Sequence, residues 1–218
     1  MLLIENLLAP TDVAALRHAA SELSFGDGRA TAGRHARTVK ANDQALPAPE
    51  LDAILAKVES TLAANPLFRS AARPKVLTRL MLSRYRAGQT YGLHVDDALM
   101  QGVRTDLSFT LFLCAPDSYD GGALVIEDMF EARAIKPAAG DLILYPATTL
   151  HRVEPVSRGE RLAVVGWAQS LIRDAAQREI LFDIDQSVEA CFASEGNSAQ
   201  FDRLTKTRAN LLRMWAEP

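Results

Sequence analysis

Residues 106–114 read DLSFTLFLC, and their alternation decides the fold class. Leu107, Phe109, Leu111 and Leu113 fall on one side of an extended chain, and Ser108, Thr110, Phe112 and Cys114 on the other. A period of two marks a strand, because successive side chains point to opposite faces of a sheet. Short runs of the same kind lie on both sides. KVLTRLMLSRY (75–85) and TYGLHVD (90–96) precede it, and ALVIED (123–128), EARAIKP (131–137), DLILYP (141–146), LHRVEP (150–155) and RLAVVGWAQ (161–169) follow. Gly, Pro and Asp separate them, as in AAGD, YPAT and PVSRGE. Strands this short and this evenly spaced predict a sandwich or an open barrel over residues 75–172.

The flanks read as helical. Thr11 can cap a helix with Val13, Leu16, Ala20 and Leu23 on its apolar face, ended by Gly26 and Gly28. Leu51, Ile54, Leu55, Val58 and Leu62 mark a second helix, closed by Asn65-Pro66. Between them runs the polar, basic stretch GRATAGRHARTVKANDQ (28–44). Residues 1–74 are therefore expected to pack on the barrel as helices and loop. Residues 173–218 predict a helical hairpin, with Leu181, Ile184, Val188 and Cys191 on one stripe and Phe201, Leu204, Leu211 and Trp215 on the other. The hairpin covers one sheet or supplies a homodimer contact.

Composition narrows the class. The 218 residues carry 24 basic and 27 acidic side chains, a net charge of −3, which argues against a nucleic-acid binder. No apolar run is long enough to span a membrane. MLLIENLLAP lacks a basic start and is broken by Glu5, so it does not read as a signal peptide. Two cysteines, Cys114 and Cys191, in apolar patterns read as buried and reduced, and a cytoplasmic location is expected.

The chemistry rests on few residues. His18 and His35 lie on a helix and in the basic stretch, where a histidine is usually structural or solvated. His94 and Asp96 form an H-x-D pair that period two puts on one face. Alone this reads equally as a surface histidine beside a turn aspartate. His151 follows 55 residues after Asp96, at the start of another strand, and Arg161 ten residues later. Arg161 shares a strand face with Ala163, Val165 and Trp167, where a guanidinium is costly unless paired. Its partner is either a bound dicarboxylate, gripped by two hydrogen bonds, or Glu154 or Glu160. Two histidines and one carboxylate form the facial triad of non-haem ferrous oxygenases, which leaves positions for a 2-oxoacid and dioxygen. Leu111, Leu113, Val165 and Trp167 are expected to keep the site dry.

RYRAGQTYGLHVDDA, RTDLSFTLFL, YDGGALVIED, KPAAGDLILYPATTLHRVEPVSRGERLAVVGWAQSLIRDAAQRE, DGRATAG and VKAND resemble the PKHD-type hydroxylases, iron- and 2-oxoglutarate-dependent dioxygenases related to prolyl and lysyl hydroxylases. The resemblance covers residues 26–182. It implies a mainly β fold, a double-stranded β-helix of jelly-roll type, with helices outside. It implies His94, Asp96 and His151 as Fe(II) ligands, and Arg161, with Tyr85, as the grip on 2-oxoglutarate. Tyr85 reads otherwise as a packed strand aromatic. Members often carry Asn after the iron-binding Asp, where this chain has Asp97. The implied activity hydroxylates a C–H bond of a peptidyl proline or lysine, an amino acid or a small metabolite, releasing succinate and CO2, with L-ascorbate as a candidate reductant. Lys40 and Asn42, if their stretch covers the site mouth, would contact substrate; a solvated loop is the other reading. The competing readings are a cupin-like metal enzyme with Glu127 as a fourth ligand, a zinc hydrolase on the same ligands, and a binding module that has lost catalysis.

Overall fold

The computed structural model describes residues 1–78, 80–127 and 130–217. Two antiparallel sheets face each other. The larger runs, in spatial order, through Leu2–Ile4, Leu142–Pro146, Leu107–Phe112, Glu160–Ser170, Met81–Arg86, Asp43–Ala45 and Phe25–Asp27, with Pro74–Leu77 also paired to Glu160–Ser170. The smaller runs through Ala132–Ile135, Leu124–Glu127, His151–Val153, Thr90–His94 and Lys40–Ala41. The strand pattern predicts a sandwich or open barrel, and these two sheets form the jelly-roll core that the family resemblance implies. Arg79 and Asp128, where KVLTRLMLSRY and ALVIED were expected to continue, lie outside the described residues.

Period two divides the core. Leu107, Phe109, Leu111, Leu142, Leu144, Leu162 and Val164 face outward, against the helices α1 (Pro10–Ser21), α2 (Pro49–Ala64) and α3 (Pro66–Ala72). Phe112, Ile143, Tyr145 and Tyr85 face inward, toward the smaller sheet. Leu111 and Leu113 therefore cannot shield the site; they sit in the outer cluster. Gly166 is set by this packing. It lies opposite Phe109 across the ladder, and a Cβ there would come within 2.5 Å of the phenyl ring.

The ends of several elements differ from expectation, for local reasons. α1 begins at Pro10, whose fixed φ suits the first helical position, so Thr11 lies inside the helix rather than capping it. Asn65-Pro66 closes α2 but also opens α3: the Asn65 side chain accepts from Phe68 N and Pro66 takes the first turn. Residues 1–74 are more than helices and loop, since they also supply strands to both sheets. Both cysteines are free; Cys114 is buried and Cys191 only half-buried. Among the described residues no helix is long and apolar enough to cross a membrane.

The hairpin of α4 (Ala175–Glu195) and α5 (Ala199–Trp215) packs on α3 rather than directly over a sheet. Asp185 of α4 is the junction. It accepts from Arg73 (2.7 Å), Arg208 and Ser70, and Arg73 also donates to the Leu181 carbonyl at 3.0 Å. Asp185→Ala would strand the buried Arg73 cation, and the expected cost is about 3–5 kcal/mol, read by urea denaturation. A loss below about 1 kcal/mol would mean that water replaces the carboxylate.

Candidate metal centre

His94 ends the strand Thr90–His94, and His151 begins the strand His151–Val153 directly across from it. Asp96 lies two residues past the strand end, where the sequence pattern predicts that the strand continues. Its carboxylate still reaches the histidines: Oδ2 lies 3.8 Å from His151 Nε2 and accepts from Ser108 Oγ at 2.6 Å. One ligand atom from each of His94, Asp96 and His151 lies within 4.8 Å of the other two.

The imidazoles are set for coordination. His94 Nδ1 lies 2.8 Å from the Gly92 carbonyl and His151 Nδ1 lies 3.0 Å from that of Thr149. A carbonyl only accepts, so each Nδ1 carries the proton and each Nε2 keeps its lone pair. Burial, reinforced by the neighbouring His151, pulls His94 down to about 4, which keeps it neutral. The Tyr91 ring stacks on His94 at 3.6 Å between centroids, and the edge of Tyr145 meets His151 at 5.2 Å.

These groups line a cavity of about 800 Å³ between the sheets. Arg161 and Tyr85, partners across the ladder of the larger sheet, line it too. Arg161 is 1% exposed, its guanidinium carbon lies 5.2 Å from the Tyr85 ring and 5.0 Å from the Phe112 ring, and its Nε has no partner among the described residues. Glu160 does not serve it: that carboxylate faces Arg84 at 3.8 Å. Burial pushes the Tyr85 hydroxyl up to about 12, so it remains a donor. Val165 and Trp167 line the wall as expected. Glu127 is held by Arg152 at 2.9 Å and is not part of that wall, which removes the fourth ligand a cupin-like site would need.

The stretch 28–44 forms one wall of the cavity, through Ala30, Thr31, Gly33, Lys40 and Gln44. Gly33 sits so close to Asp97 that a Cβ would meet its carboxylate oxygens at 2.7 and 2.8 Å. Asn42 is buried behind the wall, with both amide atoms unpartnered among the described residues. Sequence reasoning missed Ser108 and Thr110. Their signal was present: hydroxyls alternating with leucine and phenylalanine in a strand buried on both faces point into a polar interior.

A three-donor cluster that shares a cavity with a buried guanidinium whose Nε is unpartnered among the described residues fits a divalent ion together with a dicarboxylate. The profile of the 2OG-Fe(II) oxygenase superfamily matches residues 80–169, and that of the PKHD-type hydroxylase C-terminal domain matches residues 175–217. A PKHD-type hydroxylase of Maricaulis maris is 52% identical over 202 residues, 93% of this chain and 92% of its own. One from Picosynechococcus is 47% identical over 215 residues, 98% of either chain. Among solved structures, a prolyl-4-hydroxylase of Pseudomonas putida superposes with a TM-score of 0.55 at 22% identity, over 78% of this chain and 91% of that one.

Proposed function

The chain belongs to the PKHD-type hydroxylases of the 2OG-Fe(II) oxygenase superfamily, and on that premise we propose that His94, Asp96 and His151 hold Fe(II) while Arg161 and Tyr85 hold 2-oxoglutarate. As a member it is an oxidoreductase, a dioxygenase. The observation that carries the assignment of residues is one cavity lined by both the triad and a buried arginine that has no ion-pair partner among the described residues.

When bound, ferrous iron and 2-oxoglutarate supply the oxidising chemistry: dioxygen converts the 2-oxoacid to succinate and CO2 as a substrate C–H becomes C–OH. The protein's residues position and protect that chemistry. Carbonyls of Gly92 and Thr149 fix the two imidazole tautomers, and Ser108 orients Asp96. Arg161 offers a charged donor to the far carboxylate in a setting where desolvation strengthens the bond. The Tyr85 and Phe112 rings beside it exclude water there, and Val165 and Trp167 add apolar wall elsewhere in the cavity. The substrate, a peptidyl proline or lysine, an amino acid or a small metabolite, would occupy the cavity that Lys40 lines.

Purified protein, loaded with Fe(II) without oxygen, should convert 2-oxoglutarate to succinate when oxygen is admitted. Succinate no greater than that from a His94→Ala control would sink the reading.

A further inference from the structure

Lys40 sits on the edge strand of the smaller sheet, opposite Tyr91, and is 6% exposed. It lines the same cavity as the triad. Its Nζ lies 5.0 Å from the centre of the Tyr91 ring, the ring that stacks on His94. Nζ donates to Thr31 Oγ1 at 3.2 Å, and that hydroxyl in turn donates to Gln44 Oε1 at 2.6 Å. The ammonium is thus positioned by neutral groups, with no ion pair to it among the described residues. The nearby carboxylates are already committed. Asp27 is gripped by Arg29 at 2.6 Å, and Asp96 belongs to the metal cluster. Burial pulls Lys40 down to about 8, and the fields of Asp96 and Asp27 offset that only in part.

A desolvated cation held open at a cavity wall is costly unless a ligand brings the opposite charge. Arg161 is already assigned to the 2-oxoacid. We propose that Lys40 anchors a carboxylate of the substrate, so that the molecules hydroxylated here are carboxylic acids. A single ammonium, with Asp27 and Asp97 on the same wall, suits a monoanion better than a doubly charged phosphate. Leu46, Val95 and Leu99 also line the cavity and are exposed, offering contact to an apolar body. The inference rests on the hydroxylase reading above.

Matched pairs test it. Wild-type enzyme with Fe(II) and 2-oxoglutarate is offered N-acetyl proline, lysine, leucine, valine and phenylalanine, each as the free acid and as the primary amide. Succinate release above the additive-free rate and the gain of one oxygen atom by the additive are measured. The acids should be hydroxylated with kcat/KM at least about tenfold above their amides, the worth of one charged hydrogen bond. Lys40→Met should bring that ratio near one, and Lys40→Arg should preserve it. Equal use of acids and amides, or a response to neither, overturns the proposal. So does a Lys40→Met enzyme whose KM for 2-oxoglutarate rises while the acid-to-amide ratio holds, because Lys40 would then serve the co-substrate. Absence of succinate from the wild type under every condition overturns the hydroxylase reading itself, and this inference with it.

Discussion

Arg161→Leu yields a protein that is more heat-stable when empty and far poorer at using 2-oxoglutarate. The guanidinium is buried between Tyr85 and Phe112, with Nε unpartnered among the described residues. Replacing such an ion by a hydrocarbon of similar volume removes a desolvation cost. The ligand-free variant should gain about 1 kcal/mol or more, which in a chain of this length raises Tm by roughly 2–4 °C. Its KM for 2-oxoglutarate should rise on the order of a hundredfold, since two charge-assisted hydrogen bonds are lost. Thermal melts with and without 2-oxoglutarate read both effects: the co-substrate stabilises the wild type by mass action and leaves the variant nearly unmoved. Iron content should not change. A variant that melts lower and also loses iron would make Arg161 a structural residue.

His151→Ala should empty the metal centre. Without its Nε2, the site keeps only His94 and Asp96, and a two-donor site holds Fe(II) at least about a hundredfold more weakly. Anaerobic loading followed by dialysis and elemental analysis should give about one iron per wild-type chain and almost none for the variant. Succinate release should fall to background with it. The two replacements therefore separate the roles: one removes iron, the other removes affinity for the 2-oxoacid and spares iron. Full iron occupancy in His151→Ala would place the metal elsewhere.

Much of this was legible because alternation survives burial. DLSFTLFLC reads correctly as a strand with two environments, one against helices and one facing the cavity. Arg161 was readable as an ion on an otherwise apolar face. Other features depend on contacts remote in sequence. Leu2–Ile4 becomes a strand only by pairing with Leu142–Leu144. Lys40–Ala41 and Asp43–Ala45 are too short to show any period, so a wall of the cavity looks like a loop. Asp96 reaches the histidines from beyond its strand, an early strand end that periodicity does not encode. Asn65-Pro66 carries two messages, a stop and a start, and only the stop was evident.

The Asp185 junction bears on how this protein can be cut and joined. Arg73 ends α3 in a left-handed turn, and its carbonyl accepts from Leu171 N at 2.8 Å, at the end of the long strand that carries Arg161. Trimming the hairpin would bare a guanidinium under the sheet's own edge. The last two helices are thus no detachable appendage: a minimal catalytic fragment would have to exchange Arg73 for a neutral side chain in the same step.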